Sequence, residues 1–149
     1  MSAPEPHPIV FTAAVRPRAK GRARYSGRHA TRRFYTPAPT TEFEDAIGRA
    51  ARAAMEGASP LTGPVDVHVL IRLRPCASTS KTRANAMIGG AILPAKTPDV
   101  DNVAKGVLDG CKGIAFVDDR QVIRLISEKT YSSSEGVDVC ITSRTEAAG

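Results

Sequence analysis

Val65-Asp66-Val67-His68-Val69-Leu70-Ile71-Arg72-Leu73 alternates without a break, with Val65, Val67, Val69, Ile71 and Leu73 in one set and the more polar residues in the other. A period of two is that of an extended strand with one buried face. Gly63-Pro64 opens the segment and Pro75 closes it, since proline cannot donate to a strand ladder. Working outward, Ile9-Val10-Phe11-Thr12-Ala13 lies between Pro8 and Pro17 and reads as a first strand. Residues 121–128 and 137–142 read as two further strands joined across 131–136, the latter alternating through Val137, Val139 and Ile141. Between the strands, Thr40 or Thr41 with Glu44 forms a Thr-x-x-Glu capping box for a helix over about 40–56, with Phe43, Ile47, Ala50 and Ala54 on one face and Gly57 as its stop. Val100, Val103, Ala104, Val107, Leu108 and Cys111 recur at helical spacing, giving a second helix over 101–112 that Gly113 ends.

The order β-loop-α-β-loop-α-β-β describes an α/β (α+β) fold, a small mixed sheet of about four strands covered by two main helices. The 149 residues, 42% hydrophobic and 24% charged, suit a single domain over 1–149 and exclude fibrous or wholly disordered chains. No internal repeat is present. Two long connections remain. Residues 16–39 carry Pro, Gly, Ser and cations without periodicity and read as an exposed basic loop. Residues 74–97 have room for a short helix near 79–88, and connections of this length are functional or mobile; we expect mobility there.

The chain has 21 Lys and Arg against 15 Asp and Glu, a net charge of +6. Arg16, Arg18, Lys20, Arg22, Arg24, Arg28, Arg32 and Arg33 face Glu5 alone within the first 40 residues, so the rest sums to −1. Such a concentration favours phosphate contacts over a merely solvated loop. Without Trp, and with 4 Phe and 3 Tyr, the chain is poorly supplied for stacking many bases. Tyr25, Phe34 and Tyr35 either stack at bound DNA or anchor the basic loop on the core. Cys76, Cys111 and Cys140 are an odd number with no CxxC pair, which fits a reducing cytoplasm and neither a disulfide scaffold nor a structural zinc site. The sequence also lacks an apolar run of membrane-spanning length and an apolar leader, so a cytoplasmic protein with no membrane partner is expected. His7, His29 and His68 stand in no motif.

The densest chemical signal is Lys96-Thr97-Pro98-Asp99-Val100-Asp101-Asn102-Val103-Ala104-Lys105. Pro98 keeps Asp99 extended, so Asp99 and Asp101 project together at the start of a helix, with Lys105 one turn further on the same face. Asp118-Asp119 precedes the next strand, and such a turn can lie beside the Asp99 end. Clustered carboxylates at about 4 Å repel by roughly 4 kcal/mol at an effective dielectric near 20, which a divalent ion relieves. Oxygen ligands without imidazole or thiolate favour Mg²⁺ or Mn²⁺. Each piece also has a plain reading: an isolated Asp-x-Asp is commonly an N-cap or solvated, and Asp-Asp commonly a turn. Asn102 and Gln121 fit bonds to backbone or to ligating carboxylates. Gly106 inside a helix costs about 1 kcal/mol relative to Ala, and close approach of another element would explain it.

At these residues the sequence resembles the RusA family of Holliday junction resolvases, including the forms carried by bacteriophages and prophages. Pro98-Asp99-Val100-Asp101-Asn102-Val103-Ala104-Lys105 is similar to the family's Asp-hydrophobic-Asp-Asn block with its downstream Lys, and Phe116-Val117-Asp118-Asp119-Arg120-Gln121-Val122 to its aromatic-x-Asp-Asp-x-Gln segment. Lys129-x-Tyr131 resembles the close of the following strand. The likeness extends upstream to Arg16-Pro17-Arg18-Ala19-Lys20-Gly21-Arg22 and Tyr35-Thr36-Pro37. Ala23, where the family's loop often has Pro, and the long 74–97 segment depart from it.

The resemblance implies that Asp99, Asp101 and Asp119 are metal-binding and catalytic acids and that Lys105 acts at the scissile phosphate, with Asp118 and Asn102 as possible further metal or supporting residues. It implies a homodimer that uses Mg²⁺, replaceable by Mn²⁺, and no small-molecule cofactor, to place paired symmetric nicks in four-way branched DNA. Two readings compete with it: a non-catalytic nucleic-acid-binding protein acting through its basic arm, and a metal-dependent nuclease of other branched or flap DNA.

Overall fold

The computed structural model describes residues 7–18, 24–26, 33–35 and 38–145. Four strands form one mixed sheet in the order β1-β6-β4-β5: β1 is Ile9–Ala13, β4 Val65–Leu73, β5 Val122–Tyr131 and β6 Gly136–Ser143. The expected fold class holds. β4 has the predicted bounds, and its burial alternates as the sequence demands, with Val65, Val67, Val69, Ile71 and Leu73 inside.

β4 pairs with β5 in parallel and with β6 antiparallel, while β6 also pairs with β1. The last two strands, adjacent in sequence, are therefore not neighbours: the link 132–135 steps over the end of β4. Arg72 holds that link, donating from its guanidinium to both the carbonyl (2.8 Å) and hydroxyl (2.7 Å) of Ser134 and to Asp138 (3.0 and 3.2 Å). A Cβ on Gly136 would lie 2.6 Å from the same guanidinium, which is why the strand begins with glycine.

Three helices complete the described fold: α1 (Ala38–Met55), α2 (Lys81–Ile88, within the long connection) and α3 (Val100–Cys111). α1 starts earlier than the capping box implied. Thr40 is buried inside its first turns, because Pro39 occupies the first turn, where a missing N–H costs nothing. Its core stripe is Phe43, Ile47, Ala51 and Met55, with Ala50 and Ala54 at the flank. The described residues of the basic segment include two short strands that its aperiodic sequence did not suggest. β2 (Arg24–Ser26) and β3 (Arg33–Tyr35) pair antiparallel, Tyr25 opposite Phe34, and three residues are too few for alternation to register.

α1 and α3 cover one face of the sheet around a single core, the usual arrangement for a sheet with one solvated side. Their contact is made by glycine. The ring of Phe43 would lie 3.1 Å from a Cβ on Gly106, and on Gly110 a Cβ would meet both the Glu44 carbonyl and the Ile47 Cβ at 2.8 Å. The helical cost of Gly106 is thus explained by close packing within the chain. Gly110→Ala gains about 1 kcal/mol of helix propensity, but overpacking costs about 1–3 kcal/mol. Because the obstacle is backbone, the second effect wins, and urea denaturation should show a net loss of up to about 2 kcal/mol.

Candidate active site

Parallel strands cannot be joined by a turn, so the chain must cross from the end of β4 to the start of β5. α3 is that crossover, and Asp99 is its N-cap. Successive inward positions of β5 grip its approach. Ser127 donates its hydroxyl to the Val100 carbonyl (2.8 Å), Lys129 donates its ammonium to the Lys96 carbonyl, and the Tyr131 ring lies 5.7 Å from the Lys96 ammonium. Strand periodicity, 127, 129 and 131, thereby fixes the chain just before and at the helix start. Ser127 was not singled out from the sequence; the i, i+2 pattern with Lys129 and Tyr131 was its only signal.

Asp99 sits in extended backbone (φ −76°, ψ 141°) and its carboxylate caps no helix amide. Its carboxylate accepts a long hydrogen bond, 3.5 Å, from the Asn102 side-chain amide. Asp99, Asp101, Asn102 and Lys105 are all exposed, and among the described residues Lys105 is in no ion pair. The carboxylates and the ammonium thus share an outward face of α3, available to a ligand.

Asp118 and Asp119 are placed elsewhere. Asp118 lies 4.0 Å from Lys112, which caps the opposite end of α3. A helix of 12 residues is about 18 Å long, so the expected neighbourhood of the Asp-Asp turn and the Asp99 end does not exist within one chain. Among the described residues no three carboxylates, imidazoles or thiols converge as a metal cluster. Asp118 shapes its turn: its carboxylate accepts from the Arg120 amide (3.1 Å), while its own amide donates to the Gln121 side chain (2.8 Å). The Arg120 amide, a hydrogen bond with Asp119, and the charges of Lys112 and Arg120 hold the Asp118 carboxyl below the usual carboxylate range. Gln121 also donates to the carbonyls of Leu61 (2.8 Å) and Gly63 (2.9 Å), fastening the turn to the entry of β4. Asp119 stays exposed.

Of the basic residues, Arg16 and Arg18 are exposed and line a cleft of about 730 Å³ that also reaches Lys96 and Pro98, beside Asp99. Lys20, Arg22, Arg28 and Arg32 lie outside the described residues; Arg24 and Arg33 enter through the backbones of β2 and β3.

Residues 14–142 match the family Endodeoxyribonuclease RusA. The chain belongs to the RusA family. It is 34% identical over 135 residues to the uncharacterized protein YqaN of Bacillus subtilis (strain 168), an alignment covering 89% of this chain and 94% of that relative. RusA membership makes the chain an endodeoxyribonuclease of the kind that acts on branched DNA junctions. No helix among the described residues is long and apolar enough to cross a membrane. In this RusA-family site, Gln121→Leu leaves two carbonyls and an amide without their partner and should lower stability by about 2–3 kcal/mol; denaturation together with faster hydrogen exchange at the Asp118 amide would register it.

Proposed function

We propose that the protein resolves Holliday junctions by hydrolysing phosphodiesters in two opposed strands, as a homodimer with carboxylate-bound Mg²⁺. The observation that carries the reading is the pairing of Asp99 and Asp101 on an exposed face, neither capping the helix, beside a cleft lined by cations. Mg²⁺ is characteristically held by one or two carboxylates plus water and substrate phosphate, so the donor set of Asp99 and Asp101 fits it. When bound, the ion supplies an activated water and neutralises charge developing at phosphorus. Lys105, one turn along, offers an ammonium to the same phosphate. The arginines of 16–33 hold the backbone against a site that is itself acidic.

Asp119 enters through the dimer. Asp99 and Asp101 occupy one end of α3 and Asp119 the other, so a site using all three draws them from two copies. The open edge strand β5 supports such pairing, as Ile123, Leu125 and Ile126 are 60%, 42% and 38% exposed, an apolar surface that isolated edge strands avoid. A two-fold enzyme also matches a two-fold junction.

Asp99→Asn, Asp101→Asn and Asp119→Asn should each slow cutting of a synthetic four-way junction in Mg²⁺ by on the order of a hundredfold or more, with junction binding retained in gel shifts. Lys105→Ala should slow single-turnover cutting by about tenfold or more while the Kd moves little. Retained cutting in the aspartate variants refutes the site, and binding without nicks by the unaltered protein in any divalent metal favours a non-catalytic binder.

A separate test concerns the sharing of the site between copies. Asp99→Asn chains mixed with Asp119→Asn chains should recover single nicks, because one of the two composite sites in each heterodimer is intact. Sites confined to one chain would leave the mixture inactive.

A further inference from the structure

The cleft at the carboxyl end of β4 holds cations that no carboxylate among the described residues neutralises. Its cations come from three separate segments: Arg16 and Arg18 after β1, Arg74 immediately after β4, and Lys96 before α3. Among the described residues none of the four is in an ion pair, and Glu135 is the one carboxylate on the cleft wall. Unpaired cations gathered from distant parts of a chain repel one another, a cost offset when an anion binds between them.

We propose that this cleft is the path of the DNA strand leading to Asp99, with Arg74 and Lys96 as phosphate contacts. The proposal rests on the endonuclease reading and extends it to residues of the long 74–97 connection. Three observations carry it. The cleft is lined by Thr97 and Pro98, the two residues immediately before Asp99, so a strand lying in it is brought close to the start of α3. Its lining also takes in Arg16 and Arg18, which open the basic segment of the sequence. Its volume, about 730 Å³, exceeds what a lone phosphate fills, and Pro17, Pro75 and Leu73 give it apolar wall against which sugars can pack. Lys96 is held in place, its carbonyl bound by Lys129 and its ammonium beside the Tyr131 ring.

Cys76 provides a probe that leaves the sequence unaltered. It is exposed on the cleft wall, whereas Cys111 is buried and its thiol pushed up to about 12 by that burial, and Cys140 is half-buried on β6. Alkylation of Cys76, followed by peptide mass mapping in EDTA so that nothing is cut, reports directly on occupancy of the cleft. A saturating four-way junction should slow it about fivefold or more, as expected for a thiol beneath a phosphate contact, and inorganic phosphate or a mononucleotide should not. In parallel, Arg74→Ala and Lys96→Ala should each weaken junction binding and reduce the slope of log affinity against log salt by about 1. Arg52→Ala, thirteen residues along α1 from the Pro39 that lines the cleft, should change neither.

Unslowed alkylation under saturating junction, or unchanged salt slopes in both variants, overturns the proposal. Protection by a mononucleotide equal to that by the junction overturns it too, in favour of a nucleotide pocket. Failure of the underlying reading has a different signature. A protein that protects Cys76 with junction but never nicks DNA has the strand path without the hydrolytic site, and one that nicks junctions with Cys76 unprotected has the reverse.

Discussion

The parallel register of β4 and β5 is the constraint on which the rest of the molecule depends. Two strands running in the same direction with their backbones hydrogen-bonded oblige the chain to travel back along the sheet between them. Residues 74–121 make that journey, and nearly every residue of chemical interest lies on it: Arg74, Cys76, Lys96, Asp99, Asp101, Lys105, Asp118 and Asp119. The return is clamped at both ends. Ser127, Lys129 and Tyr131 hold its arrival at α3, and Gln121 ties its departure into β5 to Leu61 and Gly63.

The clamp explains how an exposed acidic face can be held rigidly without being buried. α3 buries Val103, Val107 and Cys111 against the sheet, and Gly106 and Gly110 let α1 approach it to backbone contact. A helix seated that closely cannot rotate, so Asp101 and Lys105 are aimed outward by the packing on the opposite side. Apart from the 3.5 Å bond that Asn102 donates to Asp99, the orientation of this face comes from the packing of the helix, which leaves the other carboxylate oxygens open. Asp118 is the contrast: a carboxylate of the same kind that is engaged by the Arg120 amide and shapes local structure.

The same rigid helix separates charges. With carboxylates at each end of α3, a single chain carries acidic positions at both ends of a helix about 18 Å long, and its unpaired cations collect in a cleft next to one of them. Like charges within each group repel, and the proposed divalent ion and a phosphate backbone are ligands of the opposite sign that would relieve them. In the proposed reading, the cutting of DNA is the step at which these two ligands meet.

Much of this was legible in the chain. The bounds of β1 and β4, the helix over 100–111 and the outward placement of Asp99, Asp101 and Lys105 follow from periods of 2 and 3.6 that a strand or helix imposes on its own residues, so local sequence determines them. The strand order did not follow, because β6 pairs with β1 and β4 rather than with its neighbour in sequence, and pairing is chosen by packing between residues more than sixty positions apart. The β2–β3 pair escaped because three residues cannot show a period. The distance between Asp99 and Asp119 was decided only when α3 was laid along the sheet: twenty residues of spacing is compatible with contact or with a full helix length, and the direction of the crossover selects between them. The cleft joining Arg16, Arg18, Arg74 and Lys96 is likewise a property of the folded chain, since its cations come from three segments that only the sheet brings side by side.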